Sequence, residues 1–308
     1  IDAAKAVDGE AVVMADVSVS AGAGAVANSL GVAVERKSSS IDHGVFVVIK
    51  RSDDVGAFYD FDAGRMLSDV DLAPVGKSAA EAALRFLGAR KIETKSMPVV
   101  LGPLSAHQFI KSVADAANAE SIQRKRSYLV DKAGQKIGSD AVTISDNGLI
   151  PRGLSSGTHD GEGARRREVT IFDRGRFAAM LHNSYTANKA GAQNTGHAAR
   201  GGAIASTNVF IGLGPATAAE IIADIKEGLY INMGSLAINS VSGDISTSVD
   251  FGYKIENGRL AYPVANAMVA GHIFDVLAAV DAVSSDYRAE PGTIMPTIRI
   301  ARMDVSGG

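Results

Sequence analysis

GLSSGTHDGEGARRREVTIFDRGRFAAMLHNSYTANKAGAQNTGHAARGG, residues 153–202, centres on a turn, Asp173-Arg174-Gly175, set between two runs of β-formers and charges at 167–172 and 176–181. That is the pattern of a β-hairpin. Its flanks are glycine-rich and dense in reactive side chains. They carry the acids Asp160 and Glu162, the run Arg165-Arg166-Arg167, and three of the six histidines, His159, His182 and His197. A rigid ribbon holding two polar loops apart is how a scaffold presents a site.

Working outward, β-rich runs dominate and helical patterns stand singly between them. Residues 11–19, 25–35, 44–51 and 57–62 read as strands of an antiparallel meander, broken at Gly22/Gly24, at Ser38-Ser39-Ser40 and at Asp53-Asp54. A helix is expected over 75–87, with Pro74 as its N1 proline and Gly88 as its C-terminal stop. After a polar stretch at 92–97 come a short buried strand at 98–101, a helix over 105–119, and strand-like pieces at 128–130 and 141–144. Beyond the opening stretch lie strands at 207–211, 229–233, 245–255 and 297–303, and helices at 217–227 and 272–283. Asn257-Gly258 is the strongest hairpin turn, returning through 260–264. The expected fold class is α+β. Residues 1–96 form the end of an N-terminal α/β domain. Residues 97–308 form a second domain with a large, mainly antiparallel, barrel-like sheet and single inserted helices.

Composition narrows the function classes. The chain has 308 residues and a formal net charge of −3, which gives no electrostatic footprint for nucleic acid or an anionic membrane. The absence of cysteine removes thiolate nucleophiles, disulfides and cysteine-held metals, and fits a cytoplasmic location. No apolar run approaches the roughly 20 residues of a membrane span, and no signal peptide opens the chain. The first residues, Ile1-Asp2-Ala3, lack an initiator methionine, so a longer protein with a missing front end is expected.

Three short motifs fail on context. Gly153-Leu154-Ser155-Ser156-Gly157 matches G-x-S-x-G, but a nucleophile elbow needs a strand before it and a helix after it; here Pro151 precedes and a glycine-broken loop follows. Gly76-Lys77-Ser78 resembles the end of a P-loop, yet Asp71 stands where its first glycine belongs. Gly22-Ala23-Gly24-Ala25-Val26-Ala27 fits a relaxed dinucleotide fingerprint, but Asn28-Ser29-Leu30-Gly31 is a turn and not a helix start. No two histidines share a helical face at i, i+4 spacing. His159, His182 and His197 could still converge on a metal across the hairpin, and Asp160 and Glu162 read either as a carboxylate pair or as a turn neutralised by the arginines.

Taken together, the residues resemble the TldD/PmbA family, and more closely its PmbA (TldE) branch. The matching pieces include Arg126-Ser127-Tyr128-Leu129, Thr158-His159-Asp160-Gly161-Glu162-Gly163, Asn183-Ser184-Tyr185-Thr186-Ala187-Asn188-Lys189, and Asn194-Thr195-Gly196-His197-Ala198. Further pieces are Ser242-Gly243-Asp244-Ile245-Ser246, Phe251-Gly252-Tyr253, Ile255-Glu256-Asn257-Gly258 and Tyr262-Pro263-Val264. The resemblance implies a zinc metallopeptidase complex, built as a TldD/TldE pair, that cleaves small or unfolded polypeptides in a closed cavity. In TldD-like chains H-E-x-x-x-H lies on the helix that corresponds to 105–119. Its six positions fall here on Ile110, Lys111, Ser112, Val113, Ala114 and Asp115, with no histidine and no glutamate. The cysteine that completes the TldD-like metal site is missing too.

A catalytic zinc needs about three protein ligands, an open position and a carboxylate base. This chain is therefore expected to hold no zinc and to be a non-catalytic subunit, with zinc carried by a TldD-like partner in a heterodimer, or to form a homodimer. His159, Asp160, Glu162, Arg165, Tyr185, Asn194 and His197 are the candidates for contact with peptide substrate or partner. Two alternatives stand beside this: a self-sufficient metal-dependent hydrolase built on His159, His182 and His197, and a non-enzymatic scaffold.

Overall fold

A computed structural model describes residues 1–234 and 236–307. The chain runs α1 (Asp2–Val7), β1 (Val12–Ala27), β2 (Ala33–Arg51), β3 (Asp54–Gly64), α2 (Leu72–Arg85), β4 (Lys95–Leu101), α3 (Pro103–Ala116), α4 (Ala119–Gln123), β5 (Ile144–Asn147), β6 (Glu168–Asp173) and β7 (Arg176–Phe177). It continues through α5 (Ser184–Ala190), β8 (Val209–Ile211), α6 (Ala218–Ala223), β9 (Glu227–Met233), β10 (Asp244–Val249), β11 (Phe251–Glu256), β12 (Arg259–Pro263), β13 (Ala267–His272), α7 (Ile273–Ala279), β14 (Val280–Glu290) and β15 (Thr293–Gly307). The architecture is α+β, as expected. Its largest sheet has eight strands, in the order β10-β13-β15-β4-β9-β11-β12 with β14 on β15, and curls into a half-barrel. All its pairings are antiparallel except β4 with β9.

Helix α3 lies at the centre. It packs against β15 and β9 of this sheet on one side and β5 and β8 on the other, where β7-β6-β5-β8 form a four-stranded sheet. Phe109, Ile110, Val113 and Ala114 are buried there because they recur at helical spacing on the faces turned to the two sheets. The first residues build a smaller layer. The meander β1-β2-β3 carries α1 and α2 on one face, around Val45, Val47, Ile49, Phe58, Ala79 and Ala83. This layer meets the large sheet through rings: Phe86 lies 5.3 Å from Phe251 and 4.8 Å from Tyr253, and Phe58 lies 5.3 Å from Phe251.

Several local expectations are corrected. The breaks expected at Gly22/Gly24 and Ser38-Ser40 are not breaks; β1 and β2 pair without interruption from Val12↔Val48 to Ala27↔Ala33. The turn falls instead inside the run 25–35, where Asn28 Oδ1 accepts from the backbone N–H of Leu30 and Val32. The outer half of this ribbon is exposed on both faces, so no core face imposes an alternation that sequence could display. Pro74 is the third helical residue, behind the N-cap Asp71. Residues 128–130 form a turn with Leu129 buried, the run 245–255 divides into β10 and β11, and the expected helix 272–283 ends at Ala279 and passes into β14. The hairpin turn at 173–175 is present, with φ of 46° at Arg174 and 75° at Gly175, and so is that at Asn257-Gly258. Among the described residues, no helix is long and apolar enough to cross a membrane.

Candidate functional site

The two glycine-rich loops are not held apart by their hairpin. Strand β7 is two residues long, and the loops fold back and bond to each other. Asp160 is the reason. It is buried, its Oδ1 accepts from the N–H of Glu162 and of Ala164 at 2.9 Å, and its Oδ2 accepts from Ala198 N–H at 3.0 Å. Alongside, Gly161 N–H donates to Ala198 O at 2.7 Å. A carboxylate with this many donors is a structural clamp.

His197 is a second buried tie. Its Nε2 lies 3.0 Å from Asp146 Oδ1 and its Nδ1 3.0 Å from Thr195 Oγ1. Asp146, fully buried on β5, also accepts from the Thr207 N–H at 2.5 Å and from the Thr207 hydroxyl. His182 has Nδ1 3.2 Å from Thr186 Oγ1, and burial lowers its pKa. His159 sits at the rim with Nδ1 2.8 Å from Thr158 Oγ1. The three imidazoles thus bond to different side chains, although Thr195 Oγ1 ties the His182 backbone to the His197 ring. No group of three His, Cys, Asp or Glu that could hold a metal occurs among the described residues.

The other expected residues divide likewise. Glu162 accepts from the Ser184 N–H at 2.9 Å at the start of α5, and Asn194 Nδ2 donates to Ser184 Oγ at 2.9 Å. Both therefore hold α5 in place. Tyr185 is 65% exposed on α5, and Arg165 is exposed with its backbone bridged to His159. His159 and Asp160 line a cavity of about 550 Å³ under the ribbon, whereas His197 lines a neighbouring cleft of about 590 Å³.

That cleft was not anticipated. One wall is the 154–158 loop with 197–199 and 205–207; the other is β2 from Glu35 to Ser38, with Arg65. Strand β3 pairs with β2 only from Ile41 onward, so along 33–40 β2 has β1 on one side and no strand on the other among the described residues. Sequence reasoning missed Arg36, Lys37, Arg65, Asp146 and Asn208. The adjacent pair Arg36-Lys37 in a run of small residues was the available signal, and it reads as an ordinary solvated edge. Ser155 donates its backbone N–H to Asn208 Oδ1 at 3.3 Å within a turn, which is no nucleophile elbow.

The six positions 110–115, which the resemblance sets against H-E-x-x-x-H, lie on α3. On α3, Ile110, Val113 and Ala114 are buried in the core. Lys111 Nζ lies 2.7 Å from Asp115 Oδ2 and 3.1 Å from Ser206 Oγ, and Ser206 donates to Asp115 Oδ1 at 2.6 Å. An ammonium paired with a carboxylate and an apolar helix face do not make a ligand set for a cation.

A model described as the PmbA/TldA metallopeptidase C-terminal domain matches residues 94–307, and one described as the central domain matches 1–87. The chain belongs to the TldD/PmbA family. A metalloprotease of Methanocaldococcus jannaschii is 31% identical over 70% of this chain and 49% of its own length. A metalloprotease PmbA homologue of Haemophilus influenzae is 31% identical over 76% of this chain and 51% of its own. The crystal structure of TldE from Thermococcus kodakarensis superposes with a TM-score of 0.90 over all of this chain and 72% of that one; at 24% identity it shows the shared fold. Within the TldD/PmbA family the chain is thus PmbA/TldE-like, and it spans about half the length of the curated relatives it matches.

Proposed function

We propose that this chain is a non-catalytic, PmbA/TldE-like subunit of a cytoplasmic TldD/TldE-type zinc peptidase, and that it walls the chamber in which small or unfolded polypeptides are cut. The supporting observation is the helix α3 face. Lys111 and Asp115 form an ion pair closed by Ser206, where a TldD-like chain has glutamate and histidine. Zinc and its general base then come from a TldD-like partner. The open edge of β2 along 33–40, facing the 154–158 loop, suits an extended peptide held by strand addition. His159 stands beside it, Asp160 and His197 line its cavities while tying the loops together, and Glu162 and Asn194 hold α5. A metal site on His159, His182 and His197 is set aside, because the three do not form a ligand cluster among the described residues.

The test is to purify the chain alone and with its TldD-like partner, then measure zinc by elemental analysis and hydrolysis of a flexible peptide. Stoichiometric zinc and chelator-sensitive hydrolysis are expected only in the mixture. About one zinc per chain together with hydrolysis by this chain alone would overturn the reading. Intact native mass separates heterodimer from homodimer.

A further inference from the structure

We infer that the cleft between the β1–β2 ribbon and the glycine-rich loops selects acidic peptides, reading Asp or Glu side chains, or a terminal carboxylate, through Arg36, Lys37, Arg65 and Arg166. This rests on the peptide-wall reading above and adds the class of peptide.

The charge of the cleft opposes that of the chain. The molecule carries −3 overall, yet the four cations line one cleft in which, among the described residues, Glu35 is the sole carboxylate. None of the four has an ion-pair partner among the described residues. Arg166 is the most telling. It is half-buried, its Nε is buried without a hydrogen-bond partner, and its NH1 reaches only Gly196 O, at 3.3 Å. The carboxylates nearest in charge, Asp160 and Asp146, already accept from several donors each. A guanidinium taken partly out of water and left short of acceptors is completed by an incoming anion. Arg65 donates to Ser39 O at 3.0 Å, Leu154 O at 3.0 Å and Gly153 O, which fixes its place between the ribbon and the loop without neutralising it.

The cations also track the open strand edge. Arg36 continues into the cavity beside His159, and Lys37 and Arg65 into a third cavity beside Ala21-Gly22-Ala23. A row of positive charge along an unpaired strand fits an extended chain with acidic side chains at intervals. Among the described residues no phenylalanine, tyrosine or tryptophan lines the cleft, its one imidazole, His197, is buried with both ring nitrogens engaged, and small residues such as Gly157, Ala198 and Ala205 leave room for a backbone. The observations therefore favour a peptide over a nucleic acid.

Fluorescence anisotropy with the full-length protein tests this, using labelled octapeptides of alternating Ser and Glu, Ser and Gln, or Ser and Lys, and an oligothymidylate of similar length. The Ser-Glu peptide is expected to bind at least about tenfold more tightly than the Ser-Gln peptide at low salt, with the difference shrinking at high salt. The exposed double variant Arg36→Gln/Lys37→Gln, which leaves the core untouched, is expected to erase most of that preference; Arg166→Gln should do the same if it folds. Equal binding of the Ser-Glu and Ser-Gln peptides would overturn the inference while leaving the peptide-wall reading intact. Tighter binding of oligothymidylate, or no peptide binding at all, would also overturn it, whatever zinc and hydrolysis show for the complex.

Discussion

Asp160 shows how a residue that looks reactive in sequence can be structural. Its two oxygens accept three backbone N–H groups drawn from both loops. Asp160→Asn replaces one oxygen with an NH2, so in either orientation at least one buried N–H meets a donor. We expect a loss of about 1–3 kcal/mol in urea unfolding, the cost of an unmet buried polar group. Glu162→Gln is the control, since an amide oxygen can still accept from Ser184 N–H and the loss should stay below about 1 kcal/mol. Equal stability of Asp160→Asn and the parent would show that the loops are not clamped there. A buried, fully bonded aspartate and a solvent-facing one are the same letter in a sequence. For this reason the reading found the loops but assigned contact roles to the groups that hold them together.

At the scale of elements, the β1–β2 ribbon and the 153–166 loop meet at Gly163. Gly163 has a φ of +83°, and a Cβ built there would lie 2.4 Å from Val32 Cγ1 near the ribbon turn. Gly163→Ala therefore adds left-handed strain of about 1–2 kcal/mol and pushes the ribbon off the loop. Faster proteolysis or amide exchange at 28–32 is expected to report it. Gly191→Ala separates the two effects, because Gly191 also has positive φ but open space around it, and it should leave the ribbon unchanged. Unaltered exchange in Gly163→Ala would mean the contact does not dock the ribbon. Where one face is buried, as in β4 or in β2 from Ile41, strands were legible from apolar spacing. The ribbon beyond has no buried face, and its glycines and serines read as breaks. The helix expected over 272–283 was too long for a related reason. Val280 and Val283 are buried beside Val276 and Leu277, so helix and strand share one apolar run.

At the scale of the molecule, the cleft exists only because two layers are held in register. The ribbon belongs to the small layer and the glycine-rich loops to the four-stranded sheet packed on α3, so its cations and its backbone wall come from distant parts of the chain, which no local pattern reveals. The small layer is seated on the large sheet by a ring cluster in which Phe251 of β11 meets Phe58 and Phe86, beside the Arg288–Asp60 ion pair between β14 and β3. Phe251→Ala removes one of the large sheet's rings at the seam, leaving Tyr253 and the core between α2 and β2 in place. The ring is half-buried, so a cost of about 2–3 kcal/mol is expected, below that of a fully buried phenylalanine. Because the loss falls on the seam, unfolding should split into two transitions, with the small layer melting first. The chain has seven tyrosines and no tryptophan, and Tyr253 packs on Phe86 at the seam, so tyrosine fluorescence reports undocking while far-ultraviolet dichroism reports the sheets. The variant should also lose selectivity for acidic peptides at temperatures where the sheets remain folded, since Arg36 and Lys37 then no longer face Arg166. One coincident transition at the parent midpoint would show that the layers are joined by more than this seam.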